Sequence, residues 1–311
     1  MAKKKVAVIG AGSFGKNHAR VYHELQKEGR VDFCGIVDSD LTRAREHATA
    51  YGVPAFASVA ELLEKSKPAA ASVAVPTIHH AAVARQLMEA GVDVLIEKPI
   101  AATMEQANQI IELAKKHNRI GMVGHLERFN PAVRATIPLI NQPMFFEVHR
   151  LSVFTPRALD VDVVLDLMIH DLDIVLTFAK SPVKEIRAVG LPILSPKVDI
   201  CNVRVEFESG CVANFTASRV STERVRKVRF FQPRQYISID YGRQDVLVFT
   251  VAKQVQSSPK NAATNPANPG LLDAAELATA RQMFTGAAVL AQSGITMEKP
   301  VVAPQEPLKA E

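Results

Sequence analysis

Val6-Ala7-Val8-Ile9-Gly10-Ala11-Gly12-Ser13-Phe14-Gly15 decides the fold of this chain. Four apolar residues in a row read as a short strand buried on both faces. Three glycines follow at the spacing that a strand-to-helix turn around a pyrophosphate demands. Gly10 makes the tight turn, Gly12 lets the backbone approach the phosphates, and Gly15 lets helix and strand pack closely. The helix opening after Ser13 and Phe14 offers unpaired N–H groups and a partial positive charge to an anion. A second strand ends at Asp38, where a carboxylate can accept both ribose hydroxyls of a dinucleotide. A 2′-phosphate about 4 Å from that carboxylate would cost on the order of 4 kcal/mol at an effective dielectric of about 20. The motif therefore predicts NAD rather than NADP, unless Arg43 swings in to offset the charge.

Outward from this stretch, residues 1–125 repeat strand and helix signals. Apolar runs at 6–9, 31–37, 71–75, 92–96 and 120–123 predict strands, and 15–28, 41–51, 59–65, 80–90 and 104–116 predict helices. Thr103 followed by Gln106 has the spacing of a capping box, and Gly91 suits a left-handed helix cap. Strand–helix–strand order implies parallel strands with right-handed crossovers, hence an α/β, doubly wound Rossmann domain. After His125 the pattern changes. Asn130-Pro131 predicts a helix start, 144–153 a strand and 161–179 a long helix. Six strands then follow with few helical signals: 183–194, 200–207, 212–220, 225–231, 236–240 and 246–251. Residues 126–311 accordingly read as a second, α+β domain with an open, largely antiparallel sheet. Residues 256–270 predict an exposed loop, and 271–291 a helix of unassigned role.

Composition bounds the function. The 311 residues are 48% hydrophobic and 22% charged, as in an ordinary globular protein. The net charge is +5, but Lys and Arg are dispersed without interleaved aromatics, which argues against a nucleic-acid partner. Three cysteines without C-x-x-C spacing point to reduced thiols in a cytoplasm, not to disulfides or a zinc site. The apolar run after Lys5 is too short for a signal peptide, and no stretch predicts a membrane span.

Two further stretches carry chemistry. The fifth strand ends in Val94-Leu95-Ile96-Glu97-Lys98-Pro99. Ligands of an open parallel sheet lie beyond the C-terminal strand ends, which puts Lys98 where a nicotinamide belongs. On spacing alone, an exposed strand-end lysine is an equal reading. On the 161–179 helix, Asp162, Asp166 and His170 fall at i, i+4 and i+8, with Asp173 three further on, in one polar stripe. Asp166 can orient the His170 imidazole. His170 would take a hydroxyl proton while Lys98 stabilises the developing alkoxide, although which of the two is the formal base stays open. A solvated helix face and a metal at Asp166, His170 and Asp173 are the other readings, but no further His or Cys supply for a metal is visible.

Together these motifs resemble the glucose–fructose oxidoreductase, inositol dehydrogenase and MocA family of NAD(P)-dependent oxidoreductases. The resemblance runs from Val6 to about Val251 and includes Pro76 followed by His80, Glu97-Lys98-Pro99 and Asp166-x-x-x-His170. It implies a dehydrogenase acting on a sugar, with Lys98, Asp166 and His170 catalytic and Pro76, Thr77, His80 and Glu97 near the cofactor. It also implies a homodimer or homotetramer built through the second-domain sheet. Thr77 departs from the asparagine common there. The stretches 124–131 and 165–171 are similar to the branch acting on UDP-N-acetylglucosamine at its 3-hydroxyl, on the way to amide-linked lipid A. That branch makes His125, Arg128, Asn130 and Arg157 candidates for substrate contact. An inositol or other polyol dehydrogenase, or a non-catalytic NAD-dependent sensor, remain the alternatives.

Overall fold

The computed structural model describes residues 3–155, 161–251 and 295–311. The expected loop at 256–270, the expected helix at 271–291 and Arg157 lie outside the described residues. Contacts divide the chain into one unit of Met1–Phe129 with Gln305–Glu311, and a second of Asn130–Pro304.

In the first unit, strands β1 (Lys4–Ile9), β2 (Val31–Val37), β3 (Ala55–Phe56), β4 (Ala70–Val73), β5 (Asp93–Glu97) and β6 (Gly121–Gly124) form one sheet in the order 3-2-1-4-5-6. Every pairing is parallel. The α/β expectation holds. Only β3, two residues long, has no sequence signature, because so short a run shows no period. The order changes direction beside β1, so the loops after β1 and β4 diverge and leave a crevice at the strands' C-terminal ends. Helix α1 (Gly15–Lys27) opens directly from the glycine loop. The Thr103 side chain accepts from the Gln106 amide at 3.3 Å, while the Gln106 side chain reaches back to the Ala102 amide.

The last residues belong with this unit by contact, whereas the sequence groups them with the second domain. Charge explains the docking. Glu306 pairs with Arg20 of α1, and Lys309 reaches Glu28 at 2.6 Å and Glu24 at 3.2 Å. Partners this far apart in the chain leave no local signal.

In the second unit, strands β7 (Phe145–Val153), β8 (Val183–Leu191), β9 (Ile200–Phe207), β10 (Val212–Ser221), β11 (Val225–Gln232), β12 (Gln235–Asp240), β13 (Asp245–Val251) and β14 (Ile295–Glu298) form a sheet in the order 14-13-12-11-7-10-9-8. Among the described residues, only β7 and β10 pair in parallel here. Alternation along the strands puts Phe146, Val148, Val205, Phe207, Phe215 and Phe230 on one buried face, clustered with Ile174, Val175 and Phe178. The helix expected at 161–179 runs on from Val163, but not with a single period. A π turn covers Val164–Met168, and regular α-helix runs only over Ile169–Ala179. The Asp162 carboxylate accepts from the Val164 and Leu165 amides at 3.0 and 2.9 Å, so it caps the helix instead of joining a catalytic stripe.

A buried charge anchors that helix start. Asp199 is fully buried. Burial alone would raise its pKa, but hydrogen bonds from the Ser195 hydroxyl and the Ile193, Leu194 and Ser195 amides outweigh this and hold the carboxyl well below the usual range. Arg219 lies 3.5 Å away and donates to the Val161 carbonyl, while the Val163 amide donates to Val198. A depressed carboxyl stabilises the fold above its unfolded pKa of about 4 and loses that contribution as pH falls. Asp199→Ala should therefore cost about 2–3 kcal/mol at pH 7 in urea unfolding. Asp199→Asn should flatten the loss of stability that the parent shows below about pH 4. An unchanged acid limb in that variant would remove Asp199 from this role.

Candidate active site

The glycine loop is built as the sequence motif requires. Gly10 has φ +95°, and a Cβ there would lie 2.6 Å from the Ala74 carbonyl oxygen. A Cβ on Gly15 would fall 1.8 Å from the Gly10 carbonyl oxygen, which no rearrangement of side chains relieves. Gly12 differs: nothing lies within 4 Å of its Cβ position. One glycine is therefore required by turn geometry, one by packing, and the third faces open space where a ligand's phosphates would sit. No side chain caps the N-terminus of α1, which leaves that end to an anion.

Around this loop is a cleft of about 710 Å³, lined by Gly10, Gly12, Ser13, Phe14, Asp38, Arg43 and Pro76 among others. Asp38 closes one side. Its two carboxylate oxygens accept from the Ala11 amide at 2.7 Å and the Asp40 amide at 2.9 Å, so the residue that would hold a ribose also ties β2 to the glycine loop. Arg43 lies 3.8 Å from Asp38 but is closer to Asp40, at 3.2 Å. The cleft also uses Ser39, Val59, His79, Val83 and Gln86, which sequence reading missed. Val83 and Gln86 sit three residues apart on the helix His80–Glu89, and that spacing was the available signal. The loop, the uncapped helix and the acidic rim fit a dinucleotide.

Other expected cofactor residues are not among those that line the cleft. His80 is fully buried, and its two ring nitrogens lie 2.9 Å from the carbonyls of Pro99 and Val75. It braces the loops after β4 and β5, and its neighbour His79 is the one that lines the cleft. Glu97 is buried and its carboxylate meets His18 of α1 at 2.7 Å. Thr77 opens a short 3-10 turn, Thr77–His79. Lys98 is half-buried at the end of β5 and joined to Pro99 by a cis peptide bond.

In the second unit, Asp166 lies in the π turn and His170 in the first turn of α-helix, both half-buried, with Asp173 a turn further on. The next residue, Asp171, is 1% exposed and forked by Arg150, with Nε–Oδ2 2.6 Å and Nη2–Oδ1 2.9 Å. Among the substrate candidates, Asn130 is reassigned. It is 2% exposed, its Oδ1 caps the helix Pro131–Thr136 at the Ala132 amide, and its Nδ2 donates to the Tyr241 carbonyl. Such a side chain is committed to the fold. Arg128 is exposed and His125 half-buried, at and beside the turn Leu126–Phe129. The three cysteines are free, and burial pushes Cys34 and Cys211 up to about 11, too high for nucleophiles at neutral pH. Among the described residues, no group of three or more His, Cys, Asp or Glu is placed to hold a metal, and no helix is long and apolar enough to cross a membrane.

Comparison with known proteins agrees with this geometry. Residues 4–125 match the model of the oxidoreductase family with an NAD-binding Rossmann fold, and 140–237 match the GFO/IDH/MocA C-terminal domain. A UDP-N-acetylglucosamine 3-dehydrogenase from Acidithiobacillus ferrooxidans is 34% identical over 276 residues, covering 88% of this chain and 83% of that protein. Its solved structure superposes with a TM-score of 0.81 at 30% identity, over 100% of this chain and 87% of the other. An inositol 2-dehydrogenase from Leifsonia xyli is 29% identical over 58% of this chain and 55% of its own length.

The two kinds of glycine separate folding from binding. Gly12→Ala should melt like the parent yet bind NADH at least tenfold more weakly, because its methyl occupies only the ligand's space. Gly15→Ala should lower the melting temperature, since backbone must move. Equal NADH affinity for Gly12→Ala and the parent would place the phosphates elsewhere.

Proposed function

This chain belongs to the GFO/IDH/MocA family of oxidoreductases, and from that premise we propose that it oxidises the 3-hydroxyl of UDP-N-acetylglucosamine with NAD in the cytoplasm. The observation that carries the choice of substrate is 34% identity over 88% of the chain to a dehydrogenase of that name, well beyond the reach of its matches to inositol dehydrogenases. Amide-linked lipid A is the product class to which such chemistry leads.

Bound NAD supplies the acceptor for the hydride that leaves the hydroxyl carbon. The chain's own residues manage the oxygen and its proton. In this reading His170 accepts the proton, Lys98 donates a hydrogen bond to the same oxygen as charge builds on it, and Asp166 orients His170. Arg128 and Arg157 are the candidates for gripping a diphosphate, which a guanidinium can engage with two parallel bonds. Lys98→Met should cut turnover by orders of magnitude while sparing NADH affinity. Near-normal turnover would remove Lys98 from the chemistry. The direct test of substrate follows absorbance of reduced nicotinamide with UDP-N-acetylglucosamine, UDP-glucose, inositol and free hexoses. Preference for inositol would replace the reading.

Asp38 sets the expected cofactor preference. Its carboxylate repels a 2′-phosphate, and Arg43 is engaged more closely by Asp40 than by Asp38. NAD should support faster turnover than NADP at equal concentration, and a preference for NADP would overturn this role.

A homo-oligomer is part of the same proposal. On the sheet face opposite the core of the second unit, Phe145, Phe231, Tyr236 and Phe249 form a ladder with successive ring centroids 6.1, 5.1 and 5.7 Å apart. Aromatic area on a sheet face suits a second copy of the chain.

A further inference from the structure

The helix that carries His170 does not determine its own rotation. Its first turn, Val164–Met168, is π-helical, a turn that holds one residue more than α-helix. Redistributing that residue exchanges one hydrogen-bond pattern for another, and a one-residue slip rotates the helix surface by about 100°. His170 would then face a different direction. Its orientation must be set by contacts from outside the helix.

One such contact falls on the next residue. Arg150 of β7 grips Asp171 with both arms of its guanidinium, and the two side chains are 4% and 1% exposed. The guanidinium also lies over the Tyr241 ring, 5.3 Å from its centroid. The Tyr241 carbonyl receives Asn130, which caps the helix Pro131–Thr136. A fork of two bonds fixes direction as well as distance, whereas a point charge fixes distance alone. On the far side of the π turn, Arg219 holds the Val161 carbonyl and Val198 the Val163 amide. The π turn is therefore clamped at both ends.

Stability alone is a weak account of this pair. Taking two charges out of water is costly, and apolar replacement of such a pair is often neutral or stabilising. We propose that the Arg150–Asp171 pair is a positioning element that sets the rotational register of the His170 helix. The inference rests on the catalytic reading of His170 and adds residues that do not themselves touch substrate.

The test uses the full chain and three variants. Arg150→Met/Asp171→Leu removes both charges while keeping apolar volume. Arg150→Lys keeps the charge and loses the fork. His170→Gln serves as the reference. Melting temperature, NADH affinity, kcat and KM are measured with the nucleotide sugar that the parent turns over. The expected result is melting and NADH affinity close to the parent, KM little changed, and kcat lower by about 10- to 100-fold in the first two variants. Parental kcat in either folded variant overturns the inference. If neither folds, the pair is a folding element and the inference also fails. A parent that reduces NAD with no sugar, or a His170→Gln variant with normal turnover, instead sinks the catalytic reading and takes the inference with it.

Discussion

The approach of Gly15 to the Gly10 carbonyl is the contact on which the first unit depends. With a Cβ position 1.8 Å from that oxygen, the loop closes only because no side chain exists there. Closure aims the start of α1 at the crevice and leaves Gly12 facing open space. Asp38 reinforces the arrangement by accepting from the Ala11 amide, so the residue expected to recognise a ribose also holds the phosphate loop. Binding and folding share atoms here, and that limits which substitutions can separate them.

Buried charge does comparable work in the second unit. Asp199 and Arg219 hold the start of the helix bearing Asp166 and His170, and Arg150 holds its first regular turn through Asp171. Neither pair is needed to fill an apolar core, which the sheet and Phe178 already supply. Their common property is direction. Hydrogen-bonded charges constrain angles that apolar packing leaves free, and a helix interrupted by a π turn needs such constraint.

The residues reassigned by the structure share a cause. Asp162 was read from helical spacing as part of a stripe, but its carboxylate caps two amides. Asn130 was read as a substrate contact, but both ends of its amide are used within the fold. Each is polar and sits beside a motif. A polar side chain next to a motif can serve the ligand or the backbone, and sequence spacing does not distinguish these.

The sequence by itself determined the parallel α/β unit, because apolar runs of strand length alternate with helical periods and each glycine answers a local backbone demand. It also determined the family, through motifs whose residues are close in the chain. Only the tertiary structure decided that Arg150 meets Asp171, that Arg219 lies beside Asp199, and that the last residues return to α1 through Arg20, Glu24 and Glu28. Local propensity acts over a few residues. A charge pairs with whatever the fold brings within a few ångströms, at any separation along the chain.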